Sequence, residues 1–267
     1  MQKKPIIIIS VLCVISLALG YLSGLKEEES LSNGDAETDS KKEPEFLKEG
    51  LVAYYPFNGN ANDESGNGND GEIRGAKLVE DRYGIAARAF NYPDDGSILI
   101  KDHISLRPGL ITLSAWVSPV SNQASNVLWK QQVPGNLYEQ YWLSLNAKNR
   151  RHGAGEGPII DPSTIDFAIK RNSKGRAGHD WWRPLVTKSI STNKWSHIVC
   201  TWDGKEQNVY LNGELVGVAK DTPDGEIDDI PGGDISIKGT TSDDIRIYNR
   251  ALSAEEVKAL YEFEKAE

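Results

Sequence analysis

Short stretches in which apolar and polar residues alternate recur along this chain from Leu51 onward, separated by glycine, asparagine and aspartate. Their length and their content of β-branched and aromatic residues are typical of β-strands. The clearest are residues 51–57, 97–101, 111–117, 125–130, 141–146, 164–170, 195–202, 208–212 and 234–238. Short strands at this spacing, without helices between them, predict an all-β protein built as a sandwich or a barrel.

Two dipeptides indicate tight turns between these strands. Asp203-Gly204 joins two of the strands, and Asn212-Gly213 opens the next turn. Both dipeptides favour the positive φ angles that short hairpins require. We therefore expect antiparallel hairpins in this part of the chain.

One helix is signalled clearly, near the C-terminus. Ser253 and Glu256 have the spacing of a capping box. Val257, Leu260 and Tyr261 follow at the spacing of a single helix face. The pattern predicts a short helix over residues 254–263 that packs against the edge of the sandwich.

The net charge of the chain argues against nucleic acid as a partner. The 267 residues include 30 Lys and Arg and 39 Asp and Glu, which gives a formal net charge of -9. Nucleic-acid binding requires a clustered basic surface, so this acidic chain is not expected to bind nucleic acid.

The two cysteines, Cys13 and Cys200, do not form a disulfide framework, and their spacing does not fit a zinc site. Cys200 lies in a predicted strand and has no plausible partner. We expect it to be a buried free thiol.

The N-terminus has the order of an export signal. Lys3 and Lys4 precede an uncharged, largely apolar run over residues 6–25, and acidic residues follow. The run is long enough for a membrane anchor, and small residues at 18 and 20 also fit signal-peptide cleavage. We expect the rest of the chain to be exported, either anchored through residues 6–25 or secreted or periplasmic after cleavage.

Residues 26–49 are strongly charged and poor in apolar side chains. Such a composition cannot bury enough apolar surface to fold, so it predicts an acidic flexible linker. The folded domain is then expected over residues 50–267.

Four segments carry a resemblance to a known family. Residues 51–71, 111–119, 194–216 and 243–262 resemble, in this order, the conserved segments of laminin-G-like (LamG-like) domains. These domains belong to the concanavalin A-like lectin/glucanase superfamily. The resemblance implies two stacked antiparallel sheets in a jelly-roll sandwich with one short C-terminal helix. Residues 147–190 depart from the pattern.

Catalysis is not expected. Glycosidases of this superfamily carry a strand with alternating carboxylates, and no such strand is present. The nearest run, residues 225–231, fits a solvated turn. His197 lies inside a predicted strand and is expected to be a hydrogen-bonded core residue rather than a base.

The resemblance also implies a structural calcium ion that ties the N-terminal loop to the last strand. Asp243 alternates with Ile245 and Ile247, which places it on their inward face, whereas Asp244 has the opposite parity. Burying a carboxylate requires hydrogen bonds or a cation.

The N-terminal loop offers hard oxygen ligands that suit calcium, from Asn58, Asp63 and Gly71. The candidate metal ligands are therefore Asp243, Asn58, Asp63 and Gly71. The alternative is that Asp63 caps a turn and Asp243 accepts backbone hydrogen bonds.

Basic and aromatic residues are concentrated in the segment that departs from the family pattern. Residues 146–194 contain ten Lys and Arg against four Asp and Glu. Aromatic rings stack on sugars, and arginine pairs with carboxylate or sulfate. The candidate ligand-binding residues are Trp181, Trp182, Arg150, Arg151 and Arg183. The alternative is a solvated loop that the tryptophans anchor to the core.

Taken together, the sequence predicts an exported binding module without catalytic activity that recognises carbohydrate, and in particular an anionic glycan. The first alternative is an adhesion or scaffold domain that binds a cell-surface protein. The second is a diverged glycoside hydrolase.

Overall fold

The computed structural model describes residues 43–122, 124–130, 140–146, 150–151, 159–160, 164–170, 181–182, 186, 188–219 and 224–266. The predicted export segment and most of the predicted linker lie outside these residues. Within them, no helix is long and apolar enough to span a membrane.

The described residues form an all-β sandwich of antiparallel sheets, as the sequence predicts. In chain order the strands are β1 (Leu51–Tyr55), β2 (Gly71–Arg74), β3 (Lys77–Val79), β4 (Ala89–Asn91), β5 (Ser97–Ile100), β6 (Ile111–Ser118), β7 (Ser125–Lys130), β8 (Tyr141–Leu145), β9 (Arg150–Arg151), β10 (Ile159–Ile160), β11 (Ile165–Lys170), β12 (Trp181–Trp182), β13 (Ser196–Trp202), β14 (Gln207–Leu211), β15 (Glu214–Ala219), β16 (Ile235–Lys238) and β17 (Thr241–Tyr248). Short 3-10 helices span Glu45–Leu47 and Ile104–Leu106, and the α-helix α1 spans Ala254–Glu264.

Two large sheets contain most of these strands. The first sheet has the order β15-β14-β13-β6-β17-β4-β3, and β1 also pairs with β17. The second sheet has the order β12-β11-β8-β7-β16-β5-β2. Strands distant in sequence lie side by side in both sheets, as expected for a jelly roll.

The core lies between the two sheets and follows the alternation seen in the sequence. Leu113, Ala115 and Val117 of β6 are buried in it, together with Ile198 and Cys200 of β13. Cys200 is fully buried and has no disulfide partner. Burial raises the pKa of its thiol well above the usual value. The prediction of a buried free thiol is confirmed.

The turn at Asn212-Gly213 has the predicted positive φ angles, whereas in Asp203-Gly204 the positive φ belongs to the glycine alone. Gly204 has a φ of 93°, and Asn212 and Gly213 have φ angles of 53° and 77°. At Gly213 a Cβ atom would lie 3.0 Å from the ring of Tyr261. Glycine is therefore required there both for the backbone angle and for the approach of α1.

Helix α1 packs on the outer face of the first sheet. Its N-terminus carries the predicted capping box, in which Ser253 and Glu256 each bond the other's backbone. The apolar cluster beneath it consists of Leu47, Val199, Tyr210, Tyr248, Leu252, Val257 and Leu260. This cluster is separate from the core between the sheets, so α1 adds a third layer to part of the sandwich.

The predicted start of the domain is wrong. Leu47 is fully buried in the cluster under α1, although it lies within the predicted linker. Glu43 accepts a hydrogen bond from Arg246 at 3.1 Å, and Arg250 donates to the backbone oxygens of Phe46 and Glu49. The described residues 43–49 therefore belong to the folded unit, because Phe46 and Leu47 pack against the apolar cluster between the first sheet and α1.

Replacing Leu47 tests this boundary. We expect Leu47→Ala to lower the free energy of unfolding by about 2–5 kcal/mol, because it leaves a cavity in a buried cluster. Leu78→Ala is the control, since Leu78 is 37% exposed, and it should change stability by about 0.5 kcal/mol or less. Urea denaturation of the full chain measures both. Equal stabilities would show that the segment does not support the fold.

Candidate functional site

A cavity of about 600 Å³ lies where one end of the second sheet meets the connections between strands. Its described lining residues are Asn122, Asn146, Thr164, Ser189, Ile190, Ser191 and Thr192; we call it the end cavity. Asn122 and Asn146 follow β6 and β8, Thr164 precedes β11, and the others precede β13. Four segments distant in sequence therefore meet at one site.

Backbone hydrogen bonds hold the walls of the end cavity. The backbone N–H of Asn146 donates to the oxygen of Thr164 at 3.1 Å, and that of Thr164 donates to the oxygen of Val186 at 2.8 Å. The hydroxyl of Thr164 also donates to the backbone oxygen of Lys188 at 2.5 Å. The backbone N–H of Asn193, next to Thr192, donates to the oxygen of Pro119 at 2.7 Å. The connections around the cavity are thus held by main-chain hydrogen bonds and by the hydroxyl of Thr164.

The described lining side chains carry no charge. The asparagine, serine and threonine side chains both donate and accept hydrogen bonds, and Ile190 adds an apolar surface. Asn122, Ser189 and Ser191 are exposed to solvent. The volume lies within the range of small-molecule sites, about 300–1,000 Å³. Such a lining matches a ligand rich in hydroxyl groups.

A row of side chains on the outer face of the second sheet leads toward the end cavity. Trp129, Trp142 and Ala168 form an apolar cluster there. The indole N–H of Trp142 donates to Asp166 at 3.0 Å, and the Ser144 hydroxyl lies 3.5 Å from the same oxygen. We call these five residues the tryptophan strip. Asn146 and Thr164 lie two residues beyond Ser144 and Asp166 along the same strands.

The predicted tryptophan pair lies elsewhere in the second sheet. Trp181 and Trp182 form the edge strand β12, in which they pair with Lys170 and Ile169. Because Lys170 is six residues from Thr164, β11 separates Trp181 from the end cavity by roughly 20 Å. The structure therefore does not bring the backbone of this pair to the end cavity.

The predicted arginines are described only in part. Arg150 and Arg151 form β9, which pairs with β10 in a separate two-stranded sheet. Arg183 lies outside the described residues, and so do the side chains of Arg150, Arg151 and the tryptophan pair. Their role in ligand binding stays a prediction.

Sequence reasoning missed Trp129 and Trp142. Each alternates with core residues of its own strand, for example Tyr141 and Leu143 on either side of Trp142. The signal in the sequence is a tryptophan whose parity is opposite to that of the residues in the core between the sheets.

A second pocket, of about 210 Å³, lies on the outer face of the first sheet near the end of α1. Its lining residues are Tyr54, Pro56, Asn58, Asp81, Arg82, Tyr83, Arg88, Asp243, Asp244, Arg246, Phe263 and Glu264; we call it the arginine pocket. Arg82 donates to Asp243 and to Asp244, both at 2.6 Å. Tyr54 also donates its hydroxyl hydrogen to Asp244, at 2.6 Å.

The expected orientation of the two aspartates is wrong. A bulge in β17 lies between the pairs Asp243–Trp116 and Arg246–Ser114, and Asp244 has a φ of 42°. The extra residue shifts the alternation, so Asp243 shares the outer face with Trp116 instead of the core face with Ile245. Asp243 and Asp244 therefore both line the arginine pocket, where the positively charged side chain of Arg82 pairs with them.

Glu264 at the end of α1 completes the arginine pocket. Its carboxylate accepts hydrogen bonds from Trp116 and from Arg246, both at 2.9 Å. Burial raises the pKa of Glu264 above its usual value, and Arg246 opposes that shift. Burial and the neighbouring Asp244 likewise raise the pKa of Asp243, against the effect of Arg82.

The candidate calcium ligands do not come together as a set. The Asp63 carboxylate accepts backbone hydrogen bonds from Tyr54, Ser65 and Asn69, each at 2.9 Å. Gly71 lies in β2 of the second sheet, and only Asn58 and Asp243 line the same pocket. Among the described residues, no group of three His, Cys, Asp or Glu could hold a metal ion. Calcium binding stays a prediction.

His197 is a buried, hydrogen-bonded residue, as the sequence predicts. Its Nε2 and the Ser114 hydroxyl are 2.8 Å apart, and its ring stacks on Trp116 at 5.0 Å. Burial, together with the nearby Arg82 and Arg246, lowers the pKa of His197 to about 3. The imidazole is therefore neutral in the folded protein at neutral pH.

Known proteins show which family these features fit. The family model Laminin_G_3, described as the concanavalin A-like lectin/glucanases superfamily, matches residues 93–258. No curated protein sequence matches the chain. Domain 4 of AbnA, a GH43 extracellular arabinanase from Geobacillus stearothermophilus, in complex with arabinotriose, is a similar solved structure. Its TM-score is 0.57 at 20% identity, and the alignment covers 79% of this chain and 98% of that one.

Two further solved structures share the fold. The binding domain of Paraclostridial Mosquitocidal Protein 1 has a TM-score of 0.57 at 20% identity, over 80% of this chain. The botulinum neurotoxin serotype D ligand binding domain in complex with N-acetylneuraminic acid has a TM-score of 0.54 at 17% identity, over 81% of this chain. The alignments cover 52% of each of these two longer structures.

The pH dependence of stability tests the environment of His197. In the unfolded chain His197 is protonated with a pKa near 6.5, whereas burial lowers its pKa to about 3 in the folded protein. Its contribution to stability is therefore present above pH 6.5 and is lost as the pH falls, by up to about 1.4 kcal/mol per pH unit. The raised pKa values of Asp243 and Glu264 have the opposite effect, because protonation of these carboxyls at lower pH favours the folded state. The effect of His197 is therefore isolated by comparing wild type with a variant that lacks this histidine.

We expect the stability difference between wild type and His197→Gln to shrink as the pH is lowered from 7 to 5. His103→Gln, at an exposed position, is the control for the substitution itself. Urea denaturation at several pH values measures the difference. Parallel profiles for wild type and His197→Gln would contradict the assignment.

Proposed function

The chain belongs to the concanavalin A-like lectin/glucanase superfamily, and from this we propose that it is a non-catalytic module that binds a glycan in the end cavity. The observation that carries the proposal is the lining of that cavity. Its described side chains are amides and hydroxyls around one apolar residue, Ile190. Sugars present alternating hydroxyl groups and C–H faces, and such a surface can bond both.

The solved neighbours support the choice of ligand class. One of them is a complex with arabinotriose and another a complex with N-acetylneuraminic acid. These ligands are respectively a neutral oligosaccharide and an acidic sugar. For this chain, the described lining residues are uncharged and favour a neutral sugar inside the cavity. An anionic ligand that pairs with Arg150, Arg151 and Arg183 is the alternative that the charge of residues 146–194 suggests.

The described lining also supports binding without hydrolysis. A glycosidase needs two carboxyl groups about 5–9.5 Å apart across the sugar. No carboxylate is among the described residues that line the end cavity. Asp166 is the nearest along the strand, and Trp142 and Ser144 lie within hydrogen-bonding distance of it.

We further propose that the module is exported, because residues 1–25 have the order of a signal sequence. Fusing residues 1–49 to a reporter that is active only outside the cytoplasm tests this. Reporter activity is the expected result, and its absence would contradict export.

The binding test uses the full chain on an array of arabino-oligosaccharides, other neutral glycans and sialylated glycans, followed by calorimetry with the best ligand. Asn122→Ala and Ser191→Ala should each weaken binding roughly 2- to 10-fold, because each removes a neutral hydrogen bond. Ser191→Trp should abolish binding by filling the cavity. Asn208→Ala, on β14 of the first sheet, is the matched control and should bind as wild type.

Different failures have different meanings. Binding to no glycan would refute the proposed ligand class and favour a protein partner. Glycan binding that survives Ser191→Trp but is lost in Trp181→Ala would place the site at β12 instead. Release of reducing sugar from the bound glycan would refute the non-catalytic assignment.

A further inference from the structure

Arg82 lies in the connection between β3 and β4, and oxygen atoms surround its buried guanidinium. One terminal nitrogen donates to Asp243 at 2.6 Å, and the other donates to Asp244 at 2.6 Å and to the Tyr83 hydroxyl at 3.0 Å. Its Nε donates to the backbone oxygen of Glu264 at 2.8 Å. The Arg82 side chain is only 3% exposed.

This surrounding has the composition of a site for a hard cation. The carboxylates of Asp243 and Asp244, the backbone carbonyl of Glu264 and the phenol oxygen of Tyr83 all bond the Arg82 guanidinium. Divalent calcium takes such oxygen ligands, and here a guanidinium is bonded to all of them. Arginine suits this position because it stays charged and its planar fork can bond two carboxylates at once.

The same contacts join three separate parts of the chain. Asp243 and Asp244 belong to β17, Glu264 ends α1, and Arg82 lies in the first half of the domain. The Arg82 guanidinium also lies 4.7 Å from the ring of Trp116, which adds a cation–π contact. Removing the positive charge would leave two buried carboxylates side by side.

We propose that Arg82 takes the place of a structural metal ion, so that this chain closes its N-terminal half onto β17 and α1 without calcium. The proposal sets this chain apart from the metal-tied arrangement that its family resemblance implies. It is independent of glycan binding, because the arginine pocket and the end cavity share no described lining residue.

The test compares the melting temperature of the full chain in Ca²⁺ and in EDTA. For wild type the two values should be equal, and calorimetric titration with Ca²⁺ should give no binding heat. Arg82→Ala should melt at a much lower temperature in EDTA and regain part of the loss in Ca²⁺, because a metal bound only to the folded state stabilises it.

Two variants control for the substitution. Arg88→Ala removes an exposed arginine that lines the same pocket, and it should neither melt lower nor respond to Ca²⁺. Adding Asp243→Asn and Asp244→Asn to Arg82→Ala removes the repelling charges. This triple variant should melt higher than Arg82→Ala in EDTA and should not respond to Ca²⁺.

Several results of these experiments would overturn the proposal. Binding of Ca²⁺ by wild type, or a lower melting temperature in EDTA, would overturn the proposal and support the calcium prediction. An Arg82→Ala variant that melts like wild type, or that is destabilised without any Ca²⁺ response, would overturn it as well. If Arg82→Ala does not fold, the wild-type titration still decides whether the metal is needed.

Discussion

The position of β17 is the constraint on which the rest of the structure depends. This strand pairs with β6 along its length, with β4 near its start and with β1 near its end. It thereby connects the two ends of the folded chain inside one sheet. Helix α1, which follows directly, can then pack on the outer face of that sheet and cover Leu47 at the start of the domain.

The bulge in β17 gives the two faces of the first sheet different chemistry. Ile245 and Ile247 remain in the apolar core, whereas Asp243, Asp244 and Arg246 lie among charged groups under α1. A buried charge is tolerated only where it is paired and hydrogen-bonded. Arg82 pairs with Asp243 and Asp244, and Glu264 pairs with Arg246. Helix α1 is therefore attached to the first sheet both by apolar packing along its length and by ionic contacts at its C-terminal end.

The end cavity uses a different property of the sandwich. The sheets supply rigid strand ends, and the connections between strands supply the lining side chains, as is usual for binding sites on such scaffolds. Main-chain hydrogen bonds at Asn146, Thr164 and Asn193 fix those connections. The proposed glycan contacts of Asn122 and Ser191 are therefore separate from the contacts that hold the fold.

The sequence by itself determined nine of the strands, namely β1, β5, β6, β7, β8, β11, β13, β14 and β16, together with the turn at Asn212-Gly213, the capping box at Ser253 and the burial of Cys200. Each of these depends on local alternation or spacing. Short strands such as β3, β4, β9, β10 and β12 were not predicted. Only the tertiary structure decided the rest. A one-residue bulge in β17 placed Asp243 on the outer face of the first sheet. The packing of α1 on that sheet buried Leu47, which the sequence assigns to the linker. The end cavity likewise exists because strands distant in sequence end side by side, which no local pattern records.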